Sequence, residues 1–129
     1  MDRAGLRSWV DAYERAWRTP GTGPLAELFH EEAVYLASPV SEPLAGLEAI
    51  GRMWEAERSP DEEFTLISEP IAVEGDTGVV RAEVHYLRPH ERRYIDLWII
   101  TLAPDGRCRR FEEWFWEDVD GRAAGAEAP

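Results

Sequence analysis

Apolar residues recur at steps of three and four along the start of the chain. Leu6, Trp9, Val10, Tyr13, Ala16 and Trp17 fall on one broad face of a predicted helix. Thr19-Pro20-Gly21 ends that pattern. Pro24, a favourable first-turn residue, predicts a short second helix carrying Leu25, Leu28 and Phe29. Ala33 to Ala37 reads as a strand, and Ser38-Pro39 and Glu42-Pro43 break up the stretch beyond it. A third helix is predicted from about Leu47 to Arg58, with Ile50, Met53 and Trp54 as its buried stripe. Beyond Ser59-Pro60 the period drops from about 3.6 to about 2. Phe64 to Val73 is a strand turned by Glu74-Gly75-Asp76. Val80, Ala82, Val84 and Tyr86 then alternate with Arg81, Glu83 and His85, as in a half-buried strand. Arg88 to Glu91 connects to Arg93–Leu102, which is apolar on both faces except at Asp96. Ala103 to Gly106 is a turn, and Arg107–Glu117 is the last strand.

Helices first and a four-stranded meander afterwards predict an α+β domain over residues 1–120, with helices on one face of a curved antiparallel or mixed sheet. The small, polar residues 121–129 are expected to form a flexible tail. On the opposite sheet face Ile95, Leu97 and Ile99, with Trp114 and Trp116, have nothing in the chain to cover them. That predicts a homodimer through this face.

Composition narrows the function. The chain has 129 residues and a net charge of −12, from 26 acids against 14 bases. That balance argues against nucleic acid, whose binding rests on phosphate neutralisation, and against an anionic membrane surface. Every base is Arg, and Lys, Asn and Gln are absent, which reads as codon bias of a GC-rich bacterial genome. The clusters Arg88/Arg92/Arg93 and Arg107/Arg109/Arg110 read either as solvated strand ends or as an anion-binding patch. A single Cys108 excludes an internal disulfide and, with no signal-like apolar run, predicts a cytoplasmic protein. Six Trp, four Tyr and four Phe exceed what a small core needs, so a cavity or an interface is expected to use some of them.

Three segments carry a resemblance: the Trp9/Tyr13/Trp17 helix, LFHEEAVYLASPVSEPLAGLEAI from Leu28 to Ile50, and DGRCRRFEEW from Asp105 to Trp114. In order and spacing they resemble the NTF2-like superfamily, in particular its SnoaL-like branch, from about Leu6 to Asp118. The resemblance implies a cone, in which a strongly bent sheet wraps around helices and leaves a pocket open at one end. Members include polyketide cyclases, ketosteroid isomerase, scytalone dehydratase, limonene epoxide hydrolase and non-catalytic modules, so fold alone does not select an activity. Tyr13 matches the isomerase's enolate-binding tyrosine. Ser38, before Pro39, stands where the isomerase has its aspartate base, and Trp98 stands where it has a protonated aspartate. Ketosteroid isomerisation is therefore not expected.

The same register puts Asp96, Trp98 and Ile100, with Phe111, Glu113 and Phe115, on the concave side. A carboxyl group in an apolar pocket has a raised pKa, as a general acid or base near neutrality requires. Asp96 and Glu113 are thus the catalytic candidates, with Tyr13 and Trp98 as oxyanion donors. Trp9, Trp17, Tyr35, Ser38, Trp54, Trp98, Phe111 and Phe115 are the candidate wall for a small apolar or aromatic molecule. The alternative for the carboxylates is a structural role, tied to an indole or a backbone amide. For the rings it is ordinary core filling. His30, His85 and His90 lack metal-ligand spacing, and no phosphate loop or nucleophile motif occurs, so neither metal nor cofactor is expected. Two readings of the whole remain at this level. One is a cofactor-free isomerase, cyclase, dehydratase or hydratase; the other is a non-catalytic ligand-binding or accessory module. An interaction scaffold is a third.

Overall fold

The computed structural model describes residues 1–122, so all but the first two positions of the expected tail lie outside the described residues. Helix α1 spans Arg3–Trp17 and α2 spans Leu25–Leu28. Strand β1 (Phe29–Leu36) is followed by the two-residue β2 (Leu44–Ala45) and by helix α3 (Leu47–Glu57). The chain ends in the meander β3 (Glu63–Glu74), β4 (Thr77–Arg88), β5 (Arg92–Leu102) and β6 (Cys108–Glu117). The sheet order is β2-β1-β6-β5-β4-β3, with β1 parallel to β6 and the other pairs antiparallel. This curved, unclosed mixed sheet around N-terminal helices is the α+β cone expected from the sequence. No helix among the described residues is long and apolar enough to cross a membrane.

Two local expectations are corrected. Phe29 is the first residue of β1 and not the end of the second helix. The charged His30-Glu31-Glu32 run concealed the first half of the strand, which was expected only from Ala33: it lies where the pairing with β6 is irregular, between Phe29 and Val34. The break after Ser38 also hides β2, which pairs Leu44 with Tyr35 and Ala45 with Val34. Gly46 then turns the chain into α3 at a φ of 90°, a conformation glycine adopts without strain.

Helix α1 starts at Asp2, whose carboxylate accepts from the Gly5 amide at 2.7 Å. Its apolar face (Leu6, Trp9, Val10, Tyr13) is buried against the inner residues Val80, Trp98, Ile100 and Phe111. The Trp9 indole donates to the Leu28 carbonyl at 3.0 Å and so joins α1 to α2. Arg3 and Arg7 hold the helix to the edge strand β3 by donating to the carbonyls of Pro70 and Ser68.

Gly78 explains how α1 comes so close to the sheet. A Cβ there would lie 2.5 Å from the Leu6 Cδ2 and 3.2 Å from its Cγ, and Leu6 is fully buried. Gly78→Ala should therefore lower the urea midpoint by the equivalent of about 1–3 kcal/mol, the usual cost of overpacking. An unchanged midpoint would mean that Leu6 repacks freely.

Candidate functional site

The closed end of the cone is filled by α1, and the fill stops at Tyr13. Beyond it a cavity of about 560 Å³ opens between α1, α3 and the inner face of β4, β5 and β6. That volume lies in the range of small-molecule sites, about 300–1,000 Å³. Its floor is set by strand register. Trp98 pairs with Glu113 and Asp96 with Phe115 across β5 and β6, so the two acids are diagonal neighbours on one face.

Asp96 is only 4% exposed, whereas Glu113 is half-buried and lines the cavity. The Trp98 indole donates to the Asp96 Oδ2 at 3.3 Å. Among the described residues the buried Oδ1 has no hydrogen-bond partner. The Glu113 carboxyl lies beside Asp96, close enough for a hydrogen bond when one of the two carries a proton. Burial raises Glu113 well above the ordinary glutamate range, and the charge of Asp96 and the bond to it raise it further. Burial also raises Asp96, but the bonds from Glu113 and Trp98 hold it down. Burial thus raises both acids, and the pair titrates as a unit.

Two hydroxyls stand beside the pair. Burial keeps Tyr13 and Tyr35 protonated, and the negative charge of the neighbouring acid pair adds to this. The two hydroxyls are hydrogen-bonding neighbours. One bond between them uses one of their two O–H groups and leaves the other for a further partner. The rings are fixed by packing: Tyr35 stacks on Phe111 at 5.0 Å, and Tyr13 meets Trp98 edge-on at 5.3 Å and Trp54 at 5.5 Å.

Nearer the opening the wall is aromatic with a few charges. Trp17 stacks on Phe64 at 4.5 Å, and its indole donates to Glu62 at 3.3 Å. The Arg92 guanidinium lies over the Tyr86 ring at 3.9 Å. Arg58 donates to the carbonyls of Trp17, Thr19 and Gly21, bracing the end of α3 against the loop after α1. Phe115 lines the cavity while 51% exposed.

Of the residues singled out in the sequence, the structure brings eight to the cavity: Tyr13, Trp17, Tyr35, Ser38, Trp54, Asp96, Glu113 and Phe115. Trp9, Trp98 and Phe111 do not line it. Trp9 sits one helical turn toward the closed end, with its N–H used on Leu28. Trp98 and Phe111 are fully buried beneath the tyrosines. The Trp98 N–H is directed at Asp96, so this indole supports the acid and is not placed as an oxyanion donor. Ser38 faces the cavity but is paired with Ser41, their hydroxyls 2.7 Å apart. Sequence reasoning missed Tyr86, Tyr94 and Arg92. The signal was available, because Arg92 and Tyr94 share the inward parity of Asp96 along β5.

Comparison with known proteins agrees with this architecture. The family model described as a SnoaL-like domain matches residues 10–112. A structure described as a polyketide cyclase from Sinorhizobium meliloti is 27% identical, with a TM-score of 0.62 over 88% of this chain and 99% of that one. One described as an isomerase of the SnoaL-like family from Agrobacterium tumefaciens is 18% identical, with a TM-score of 0.69 over 88% and 98%. An LEH-like epoxide hydrolase from M. tuberculosis is 12% identical, with a TM-score of 0.72 over 98% and 95%. No curated protein sequence matches the chain. With a matched segment running from the middle of α1 into β6, the chain belongs to the SnoaL-like domain family.

Proposed function

We propose that this protein is an acid–base enzyme acting on a small, largely apolar or aromatic molecule, with the Asp96–Glu113 pair as its proton-moving group. The observation that carries the reading is two carboxyl groups set side by side at the floor of an aromatic cavity, where burial raises both. Such a pair holds an acid and a base at once near neutrality. Its carboxylate takes a proton from a carbon beside a carbonyl, while Tyr35, backed by Tyr13, donates to the oxygen on which charge develops. The held proton then goes to another carbon in an isomerisation, to the alkoxide left when the enolate carbon closes on a second carbonyl in a cyclisation, or to a departing hydroxyl in a dehydration. The relatives described as isomerase and polyketide cyclase make such chemistry the natural comparison. The lone thiol of Cys108, free, buried and pushed up to about 12 by desolvation, suits a cytoplasmic protein.

The outer sheet face supports the second part of the proposal, a homodimer. Ile95, Leu97, Ile99 and Trp114 are half-buried, and Trp116 is 56% exposed. A second copy is the occupant that covers such a face symmetrically.

In deuterated buffer, the protein should speed α-proton exchange in one- and two-ring aryl ketones, read by NMR, and Glu113→Gln and Asp96→Asn should each lose at least about 100-fold. Exchange at the buffer rate across the whole set would remove the catalytic reading. A second outcome concerns stability, because Glu113 binds its proton more tightly folded than unfolded. Its stabilisation is therefore full below the ordinary value of 4.5 and is lost as pH rises through the raised folded value. The Tm of Glu113→Gln relative to wild type should accordingly rise as the pH is raised above 4.5. For the interface, sedimentation at micromolar concentration should give a dimer that Leu97→Glu dissociates, and a monodisperse wild-type monomer would exclude it.

A further inference from the structure

The inner face of β5 runs from the opening to the floor as Arg92, Tyr94, Asp96 and Trp98, all at one parity. About 13 Å of strand separates Arg92 from Asp96. Between them the wall is Tyr94, Val84 and Phe115, with Tyr86 opposite Arg92 on β4. The cavity is thus polarised along its length: an arginine at the opening, rings in the middle and an acid pair at the floor.

Arg92 is held in place but not used up. Its ring partner Tyr86 fixes the guanidinium plane at 3.9 Å, and Nη1 donates to the His90 carbonyl at 3.1 Å. Its ion pair with Glu62 is long, 3.9 Å, beyond the reach of a hydrogen bond. Glu62 itself accepts the Trp17 indole. A guanidinium has five N–H donors, and among the described residues a hydrogen bond is formed by only one of those on Arg92. None of its nitrogens is buried without a partner, so the remaining donors face the cavity or solvent. Arg58, the other arginine on the wall, is by contrast committed to three backbone carbonyls and Glu55.

We infer that Arg92 is the anion-recognition group of this cavity, and that the molecule it takes is an amphipathic acid: an aromatic or alicyclic body bearing a carboxylate at the end remote from the Asp96–Glu113 pair. The inference rests on the proposed site and adds the substrate class. A carboxylate can engage a guanidinium through two parallel hydrogen bonds, which the distant Glu62 does not do. Its charge is repelled by the acids at the floor, so the molecule enters ring-first and presents its far end to the pair. The neighbouring Glu57 and Glu62 select against a second negative group at the opening. A cavity of 560 Å³ accommodates one or two rings in that orientation.

The test is a binding measurement that needs no turnover. Trp17 and Trp54 line the cavity, so quenching of tryptophan fluorescence reports occupancy. Two probes of similar shape are titrated, 2-naphthoate and the neutral 2-acetonaphthone. Wild-type protein should prefer the naphthoate. Arg92→Ala should weaken the naphthoate by about tenfold or more while shifting the ketone by no more than about twofold, and Arg92→Lys should recover part of the loss. Arg92→Met serves equally if the alanine variant fails to fold, as judged by circular dichroism. Equal loss for both probes, no loss for the naphthoate, preference for the ketone, or binding of neither by the wild type would each overturn the inference. Naphthoate binding that depends on Arg92 without ketone exchange by the wild type would leave the anion site standing and remove the catalytic reading.

Discussion

Holding two carboxyl groups side by side on the inner wall, Asp96 buried and Glu113 half-buried, is the constraint around which the cone is organised. Two such charges side by side in a poorly solvated place repel, so one proton stays bound. That proton needs an acceptor, and the ionised partner needs donors. Register supplies both, because Trp98 lies two residues along from Asp96 and directly across from Glu113. A ring that is fully buried thereby has a polar duty as well as a packing one. Shifting either strand by one residue would turn its own acid outward, Asp96 on β5 or Glu113 on β6, and bury Leu97 or Trp114 in its place.

Thirteen of the fourteen aromatic residues divide along the same axis, and the fourteenth, Trp54, meets Tyr13 edge-on at their boundary. Trp9, Tyr13, Phe29, Tyr35, Trp98 and Phe111 interlock at the closed end by stacked and edge-on contacts. Trp17, Phe64, Tyr86, Tyr94 and Phe115 form a chain of contacts toward the opening. Trp114 and Trp116 meet each other on the outer face. The first group keeps Tyr13 and Tyr35 rigid, the second provides a surface for flat molecules, and the third lies outside the cavity altogether. Tyr13 links the first two through its edge contact with Trp17 at 6.2 Å.

This division explains what was legible in the sequence. Alternation along β4, β5 and β6 is a property of local chain geometry, so the inward parity of Asp96, Trp98, Phe111, Glu113 and Phe115 could be read without any tertiary information. Parity does not give depth. Whether an inward residue meets the cavity or the underside of α1 depends on where the helix stops, which is a long-range fact about Tyr13 and Gly78. Local pattern alone therefore places Trp9, Trp98 and Phe111 on the wall and leaves Arg92 among the solvated strand ends. The first half of β1 was concealed by three polar residues in a row at an irregular pairing, where neither period applies.

The departure from the steroid isomerase pattern follows from the same geometry. In the resembling pattern an aspartate before Pro39 would serve as the base, on the loop after β1. Here that position is Ser38, which lines the cavity with its hydroxyl 2.7 Å from that of Ser41. Neither hydroxyl can hold a proton from a carbon acid at neutral pH. The carboxyl groups stand instead on the sheet, where strand pairing positions them more rigidly than a loop would. A base on the sheet approaches a bound molecule from the wall and not from the opening. That leaves the opening free for Arg92 and Glu62, and it separates the part of the cavity that would do chemistry from the part that would choose the molecule.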